Sequence, residues 1–272
     1  MKVLTIDLDY IMAPWIEVYQ DHAPPPGSSR HSSAIKHWTH VFNSTQFRES
    51  MFYIDQPNLL FCFNTFLKSI KNCESVSFGY DHDSILYDIA KFDNIDLINI
   101  DHHDDFFHGI ENDGPDDLGI EDEIEAELSL LKRFDHVNEG NWGAWLHLNG
   151  KLNSFTWICN PNSANRERDS ITEKITDFKS VFKEDYEFEN YDFDHIFICL
   201  SPDYTPRCHW HYFTMFINAF EEFTGKNAII HTSKFEIDNN IGIVHNEILH
   251  QRANGGRPLS GSGLREWTPL RK

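Results

Sequence analysis

The sequence predicts an α/β protein of three layers, α/β/α, built on a mainly parallel sheet. Three observations carry this. Apolar runs alternate with helical stretches, as at residues 75–78, 84–91 and 97–100, and a strand–helix–strand unit implies a parallel pair with both ends on one edge. Several apolar runs stop abruptly at acids and histidines, and open α/β sheets place their chemistry at the carboxyl edge of their strands. The chain has 272 residues, 40% hydrophobic and 14% aromatic, enough to bury a large core in one domain. That domain is expected over residues 1–251, with a Gly/Ser-rich, basic and flexible tail over residues 252–272.

The first strand reads over residues 2–9 and delivers Asp7 and Asp9 at its end. Two apart on a strand, both carboxylates face one way. Residues 20–45, with the Pro/Gly/Ser run 23–29, read as an irregular loop or lid suited to lining a groove. Residues 56–71 read as a helix whose apolar side is Leu59, Leu60, Phe63, Phe66 and Leu67. The strand at 75–78 ends in Gly79, which permits a tight turn, and His82 follows the turn.

A helix over 84–91 leads into the strand at 97–100. A turn at 114–117 precedes a helix over 121–134, acidic in its first turn and ending in Lys132 and Arg133, as the helix dipole favours. Residues 138–146 combine polar side chains, two glycines and two tryptophans. They read as a substrate-contact loop that becomes a helix, or as a helix start with core tryptophans. Then come a strand at 154–159, a charged helix and surface segment over 171–186, a buried strand at 195–200, a helix over 212–223 and a short strand at 228–231.

The chemistry centres on Asp101, His102, His103, Asp104 and Asp105, directly after the strand 97–100. If the strand continues through His103, Asp101 and His103 share a side, and a curling loop returns Asp105 to the same point. One imidazole and two carboxylates make a hard N/O site for a divalent first-row metal. The alternative is a solvated acidic turn. Asp7, Asp9 and His82 come from other strand ends, and together the set suffices for two metals sharing carboxylates. Two divalent cations about 3.5–4 Å apart make water nucleophilic at neutral pH. A carboxylate-rich set without thiolate favours Mn²⁺ over structural zinc. Asp203 is a further acid at a strand end.

The formal net charge of -20 argues against nucleic acid and anionic membrane surfaces as partners. No apolar stretch is long enough to span a bilayer. The amino terminus runs straight into a strand, so no signal peptide is expected. The five cysteines form no CxxC pair and read as packing residues of a cytoplasmic, reducing-compartment protein.

These residues resemble a known family. GYDHD at residues 79–83 resembles the GGDHS motif of arginases and related ureohydrolases, and IDHHDD at 100–105 resembles their DAHTD-type motif. DLDYIMAP at 7–14 is similar to their DVDGLDP-type motif. In arginases that motif lies late in the chain; here it opens the chain. The resemblance therefore implies an arginase-deacetylase-like fold with a permuted strand order. The closer resemblance is to the peptide arginases of ribosomal-peptide natural-product pathways. They share a DLDYF-like stretch, the DxHxD cluster, an ENW-like motif (Glu139, Asn141 and Trp142) and an SPDYTP-like segment at 201–206.

The resemblance implies a hydrolase that converts arginine side chains of a precursor peptide to ornithine and urea, with two Mn²⁺ per chain. The implied ligands are Asp7, Asp9, His82, Asp101, His103 and Asp105, with Asp101 and Asp7 bridging. Asp203 corresponds to a guanidinium-binding acid, or else caps a turn. Glu139, Asn141, Trp142 and Tyr10 fall on the substrate side, although Tyr10 can equally pack. No motif places the family's proton-shuttle histidine. His102 and His108 are candidates by proximity in sequence, with a surface or ligand-supporting role as the other reading.

Three rival functions remain. One is a small-molecule ureohydrolase acting on free arginine, agmatine or a guanidino acid. Another is a deacetylase-like amidohydrolase with one zinc, a group that lacks the second acid of the Asp7/Asp9 pair. The third is a binding protein that keeps a metal without turnover. An HD-type phosphohydrolase is disfavoured because Asp81–His82 and His103–Asp104 follow strands instead of lying within helices.

Overall fold

Seven strands pair in parallel to form one sheet: β1 (Lys2–Asp7), β2 (Ser75–Gly79), β3 (Ile95–Asp101), β4 (Leu152–Cys159), β5 (Phe178–Phe182), β6 (His195–Cys199) and β7 (Ile229–His231). Their order across the sheet is β5-β4-β3-β1-β6-β2-β7. The structure is a computed structural model and describes residues 1–12, 53–106, 129, 132–134, 137–161, 163, 177–202, 204–231, 248–249 and 252–253. Among the described residues, four α-helices of four residues or more accompany the sheet: α1 (Gln56–Ser69), α2 (Leu86–Ile89), α3 (Trp142–Leu148) and α4 (Trp210–Thr224). Short 3₁₀ turns occupy Leu8–Ile11 and His82–Ile85.

Strand alternation divides the core in two. Leu4, Ile6, Phe78, Ile98, Ile100, Ile196 and Ile198 point to one face and pack with Leu59 and Phe66 of α1 and Phe213, Phe216 and Phe220 of α4. Val3, Leu97, Phe155, Trp157 and Phe197 point to the other, against Leu86 and Ile89 of α2 and Trp142, Trp145 and Leu146 of α3. Each fully buried ring or branched chain contributes about 1.5–3 kcal/mol relative to exposure. Helices thus cover both faces, as a parallel sheet requires. α1 starts at Asp55, whose side chain accepts from Asn58 N at 2.8 Å, with Pro57 in its first turn. α4 stops at Gly225, which takes the left-handed conformation (φ 67).

β1 lies in the middle of the sheet. The chain leaves β3 for β4 on one side and leaves β6 for β7 on the other. At such a reversal, beyond the carboxyl ends of the strands, open α/β sheets bind ligands.

The α/β class and the parallel sheet agree with expectation, and four details are corrected. β1 ends at Asp7, because the Asp7 carboxylate accepts from Asp9 N at 3.2 Å and caps a 3₁₀ turn; Asp9 is therefore not the next same-face residue of a strand. β3 runs to Asp101 and stops short of His103, so strand alternation does not bring those two together. β2 and β3 are parallel but not neighbours, since β6 and β1 lie between them. The helix expected over 171–186 contains β5, an edge strand held to β4 from Phe155–Phe178 to Cys159–Phe182. The Phe178 ring stacks on Phe155 at 5.2 Å, so pairing and burial outweigh the charged, helix-prone composition.

The loop at 20–45, most of the helix expected at 121–134, the turn at 114–117, His108, Asp203 and residues 254–272 lie outside the described residues. Arg252, first residue of the expected tail, pairs with Glu221 of α4 at 2.5 Å. All five cysteines are free; Cys62, Cys159 and Cys199 are buried. Among the described residues, no helix is long and apolar enough to cross a membrane.

Candidate metal centre

The carboxyl ends of β1, β2 and β3 deliver their acids and histidines to one buried place. Asp7 ends β1 and Asp101 ends β3; Asp9 and His82 sit in the 3₁₀ turns after β1 and β2. Asp9 and Asp101 are fully buried, and His82, Asp7 and Asp105 nearly so. His82 Nδ1 lies 3.0 Å from Asp101 Oδ2, 3.0 Å from Asp105 Oδ2 and 3.3 Å from Asp7 Oδ2. His103, half-exposed at the rim, brings Nδ1 to 3.0 Å from Asp9 Oδ2 and 3.8 Å from Asp101 Oδ1.

Two triads have ligand atoms close enough to share an ion: Asp7, His82 and Asp101, and Asp9, Asp101 and His103. Asp101 belongs to both, as a bridging ligand must. Asp7 belongs to the first only.

Several contacts aim these ligands. Thr5 Oγ1 lies 2.5 Å from His82 Nε2, leaving Nδ1 for the cluster. The His82 ring stacks over Phe197 (centroids 6.0 Å, 16°) and lies 4.7 Å from the Trp142 ring. Ser201 Oγ donates to Asp7 Oδ2 in a short bond. Asp101 Oδ2 accepts from Asn99 Nδ2 at 3.2 Å, and Oδ1 accepts from His103 N at 2.9 Å. Asp105 takes a left-handed backbone (φ 59), and its Oδ2 accepts from Trp142 Nε1 at 2.6 Å. Its carbonyl accepts from Gly143 N at 3.1 Å. Gly143 is needed there, because a Cβ would stand 2.7 Å from the Phe106 ring. The Gly79 requirement is similarly steric and not a matter of φ. A Cβ would meet Ser84 Oγ at 2.3 Å and Phe197 Cζ at 2.5 Å.

The buried acids and imidazoles shift one another's protonation strongly. Burial, then the charges of Asp7 and Asp101, raise the Asp9 carboxyl. Burial and the charge of Asp101 raise that of Asp105. Burial opposes charge on His82, but the charge of Asp105 and bonds to Asp101, Asp105 and Asp7 outweigh it and raise its pKa. Burial likewise opposes charge on His103, and Asp9 holds it protonated. Asp101 is held ionised against its burial by His82 and His103. The donor set fits a hard divalent metal. His82 Nδ1 and Asp9 Oδ2 are both buried, and each meets an opposite charge at 3.0 Å, His82 with Asp101 and Asp105 and Asp9 with His103.

Five of the six residues expected as ligands fall in the two triads; Asp105 is in neither and joins the cluster through its 3.0 Å contact with His82 Nδ1. The other expected site residues are more dispersed. The half-buried His102 turns Nδ1 to Ser163 Oγ at 3.2 Å, and burial with the neighbouring His103 charge pushes its pKa down to about 3. Tyr10 is fully buried beside Phe61. Asn141 Oδ1 accepts from Asn138 N at 2.8 Å and shapes the turn before α3, which also holds the half-buried Glu139. Trp142 is fully buried. Ser201 reaches Asp7, and the Tyr204 ring lies 5.1 Å from that of His103; Asp203 lies outside the described residues.

Thr5, Asn99 and Ser201 were missed from sequence. The first two carried a signal, each being a polar residue inside an apolar strand, two positions before a ligand on the same face. No protein-family model, curated protein or solved structure matches the chain. What is defined is a class: a parallel α/β protein with a buried Asp/His cluster able to hold metal.

Proposed function

We propose that the protein is a two-metal hydrolase that converts arginine side chains of a precursor peptide to ornithine with release of urea. The observation that carries this reading is the pair of triads sharing Asp101 at the carboxyl edge of the sheet. Charge balance supports two metals, since two dications neutralise Asp7, Asp9, Asp101 and Asp105 with both imidazoles neutral. The absence of thiolate among the candidate ligands favours Mn²⁺. A single-metal, deacetylase-like site would leave Asp9 buried without purpose.

Asp7, His82, Asp101 and Asp105 would hold one ion, and Asp9, Asp101 and His103 the other. Bound there, the pair supplies Lewis acidity and a water nucleophilic at neutral pH. The chain's own residues do the rest. Ser201, Asn99, Thr5 and Trp142 fix the ligands. Asp203 is assigned the guanidinium on the motif resemblance at 201–206; a carboxylate paired bidentately with that group sets its plane. The arginine and peptide parts of the proposal draw on the motif resemblance at 7–14, 79–83, 100–105, 139–142 and 201–206.

The test is Mn²⁺-loaded protein with free arginine and an arginine-containing peptide side by side. Urea, with a loss of about 42 Da per arginine confined to the peptide, is the expected result of hydrolytic removal of the CN₂H₂ unit. Turnover of free arginine alone would make the protein a small-molecule ureohydrolase. Metal binding without loss from either substrate would overturn the arginine reading and direct attention to acyl-amine substrates.

A further inference from the structure

We propose that Trp142 is a positioning residue of the metal centre. Its indole N–H holds Asp105 in the pose that ligates metal, and this coupling ties metal binding to the start of α3. The inference rests on the metal-centre reading above. Asp105 is in the left-handed region (φ 59), uncommon for a residue with a Cβ and most readily taken by Asn and Asp. Trp142 grips its side chain there. Its Nε1 donates to Asp105 Oδ2 at 2.6 Å, the same oxygen that lies 3.0 Å from His82 Nδ1. The next residue, Gly143, donates its N–H to the Asp105 carbonyl at 3.1 Å. Side chain and backbone of one aspartate are thus gripped by adjacent residues of one helix.

Trp145, one turn later, shows what a tryptophan without this task does. Its Nε1 donates to Lys132 O at 3.1 Å, away from the acids. Trp142 differs in a second respect: its ring lies 4.7 Å from that of His82, so it borders two ligands of one ion. Fully buried, it offers no face to a substrate. A hydrogen bond from a supporting residue to a ligating carboxylate fixes its orientation, and losing one typically weakens metal affinity about 10–100-fold.

The experiment is Mn²⁺ calorimetry on the full chain: wild type, Trp142→Phe, and a chain carrying 3-benzothienylalanine at 142. That analogue keeps the bicyclic shape and lacks the N–H, so folding is preserved should the Phe variant fail. The expected result is about 10–100-fold weaker binding of one Mn²⁺ equivalent in both altered chains, with unchanged circular dichroism in the analogue. Wild-type affinity in the analogue overturns the proposal and leaves the metal centre standing. A wild type that binds no Mn²⁺ overturns both.

Discussion

His82 Nδ1 lies 3.0 Å from Asp101 Oδ2, although β1 and β6 separate the strands that deliver them. Adjacent strands are about 4.8 Å apart, so the turn after β2 must lean back across β6 to close the gap. It does so over Phe197, on which the His82 ring stacks, and it reaches Thr5 of β1. Gly79 makes the lean possible by leaving room for Ser84 and Phe197.

Gly79→Ala therefore tests the coupling of fold and site. The added methyl would lie 2.5 Å from Phe197 Cζ and 2.3 Å from Ser84 Oγ, and overpacking of this kind costs about 1–3 kcal/mol. We expect a lower melting temperature together with weaker Mn²⁺ binding, because relief of the clash displaces His82. A variant with wild-type melting and a wild-type isotherm would disprove the account.

Asp101→Asn should be the most damaging single change at the site. Asp101 is the ligand common to both triads, and Asn removes a charge while keeping shape. Mn²⁺ stoichiometry should fall at both positions. On the proposed function, urea release should drop by about 100–1,000-fold, the scale on which loss of one transition-state-stabilising group lowers turnover. Asp7→Asn, with Asp7 in one triad only, should retain binding at the Asp9–Asp101–His103 position. Equal stoichiometry in Asp101→Asn and wild type would remove the shared-ligand assignment.

The buried Asp/His cluster was legible in the sequence because acids beside histidines at strand ends have few purposes. Asp101 and His103 were placed together for the wrong reason, however. β3 stops at Asp101, and a bend in which His103 N donates back to Asp101 Oδ1 at 2.9 Å does what strand alternation was expected to do. The supporting shell was harder to read. Ser201 reaches Asp7 from 194 positions away, a contact that only the β1–β6 pairing creates. β5 was read as helix because Lys179 and Ser180 carry no strand signature; its pairing with β4 decides the matter.

Thr5→Val isolates the support of His82. Valine matches the shape of threonine and removes the hydroxyl that lies 2.5 Å from His82 Nε2. The fold should survive, since Thr5 is flanked by apolar Leu4 and Ile6 in a central strand. Mn²⁺ affinity should fall about 10–100-fold, the usual cost of losing a partner behind a ligating imidazole. Calorimetry with unchanged affinity would show that Phe197 and Trp142 alone orient the ring.

Metal binding should release protons. The raised pKa values of His82 and His103 leave these imidazoles charged at neutral pH in the metal-free protein, and Asp9 and Asp105 are raised as well. A metal takes the neutral imidazole and the ionised carboxylate. Apparent affinity should therefore rise with pH through the neutral range. Binding enthalpies at pH 7 should differ between buffers of different ionisation heat; buffer-independent enthalpies would mean that no protons leave.

His195 gives the fold a separate pH dependence, away from the metal centre. It begins β6, with Nδ1 2.7 Å from Ser75 Oγ and Nε2 3.5 Å from Asp88 Oδ2, and it is 2% exposed. Burial pushes its pKa down to about 4; the Asp88 charge opposes this, while His231 and Lys91 add to it. The unfolded chain takes up this proton near the ordinary value of about 6.5, where the folded chain does not. The stabilising contribution is thus fully present above pH 6.5 and is lost as the pH falls toward 4. The shift corresponds to about 3 kcal/mol at 1.36 kcal/mol per pH unit. Asp88, whose carboxyl is lowered against its burial by bonds from His231 and Ser77, keeps its own contribution until lower pH. His195→Asn retains hydrogen-bonding capacity and removes the titration. Urea denaturation of metal-free wild type and variant between pH 7 and 4 should give curves that converge as the pH falls, since His82 and His103 titrate in both and cancel in the difference. Parallel curves would show that His195 accepts its proton as readily in the fold as out of it.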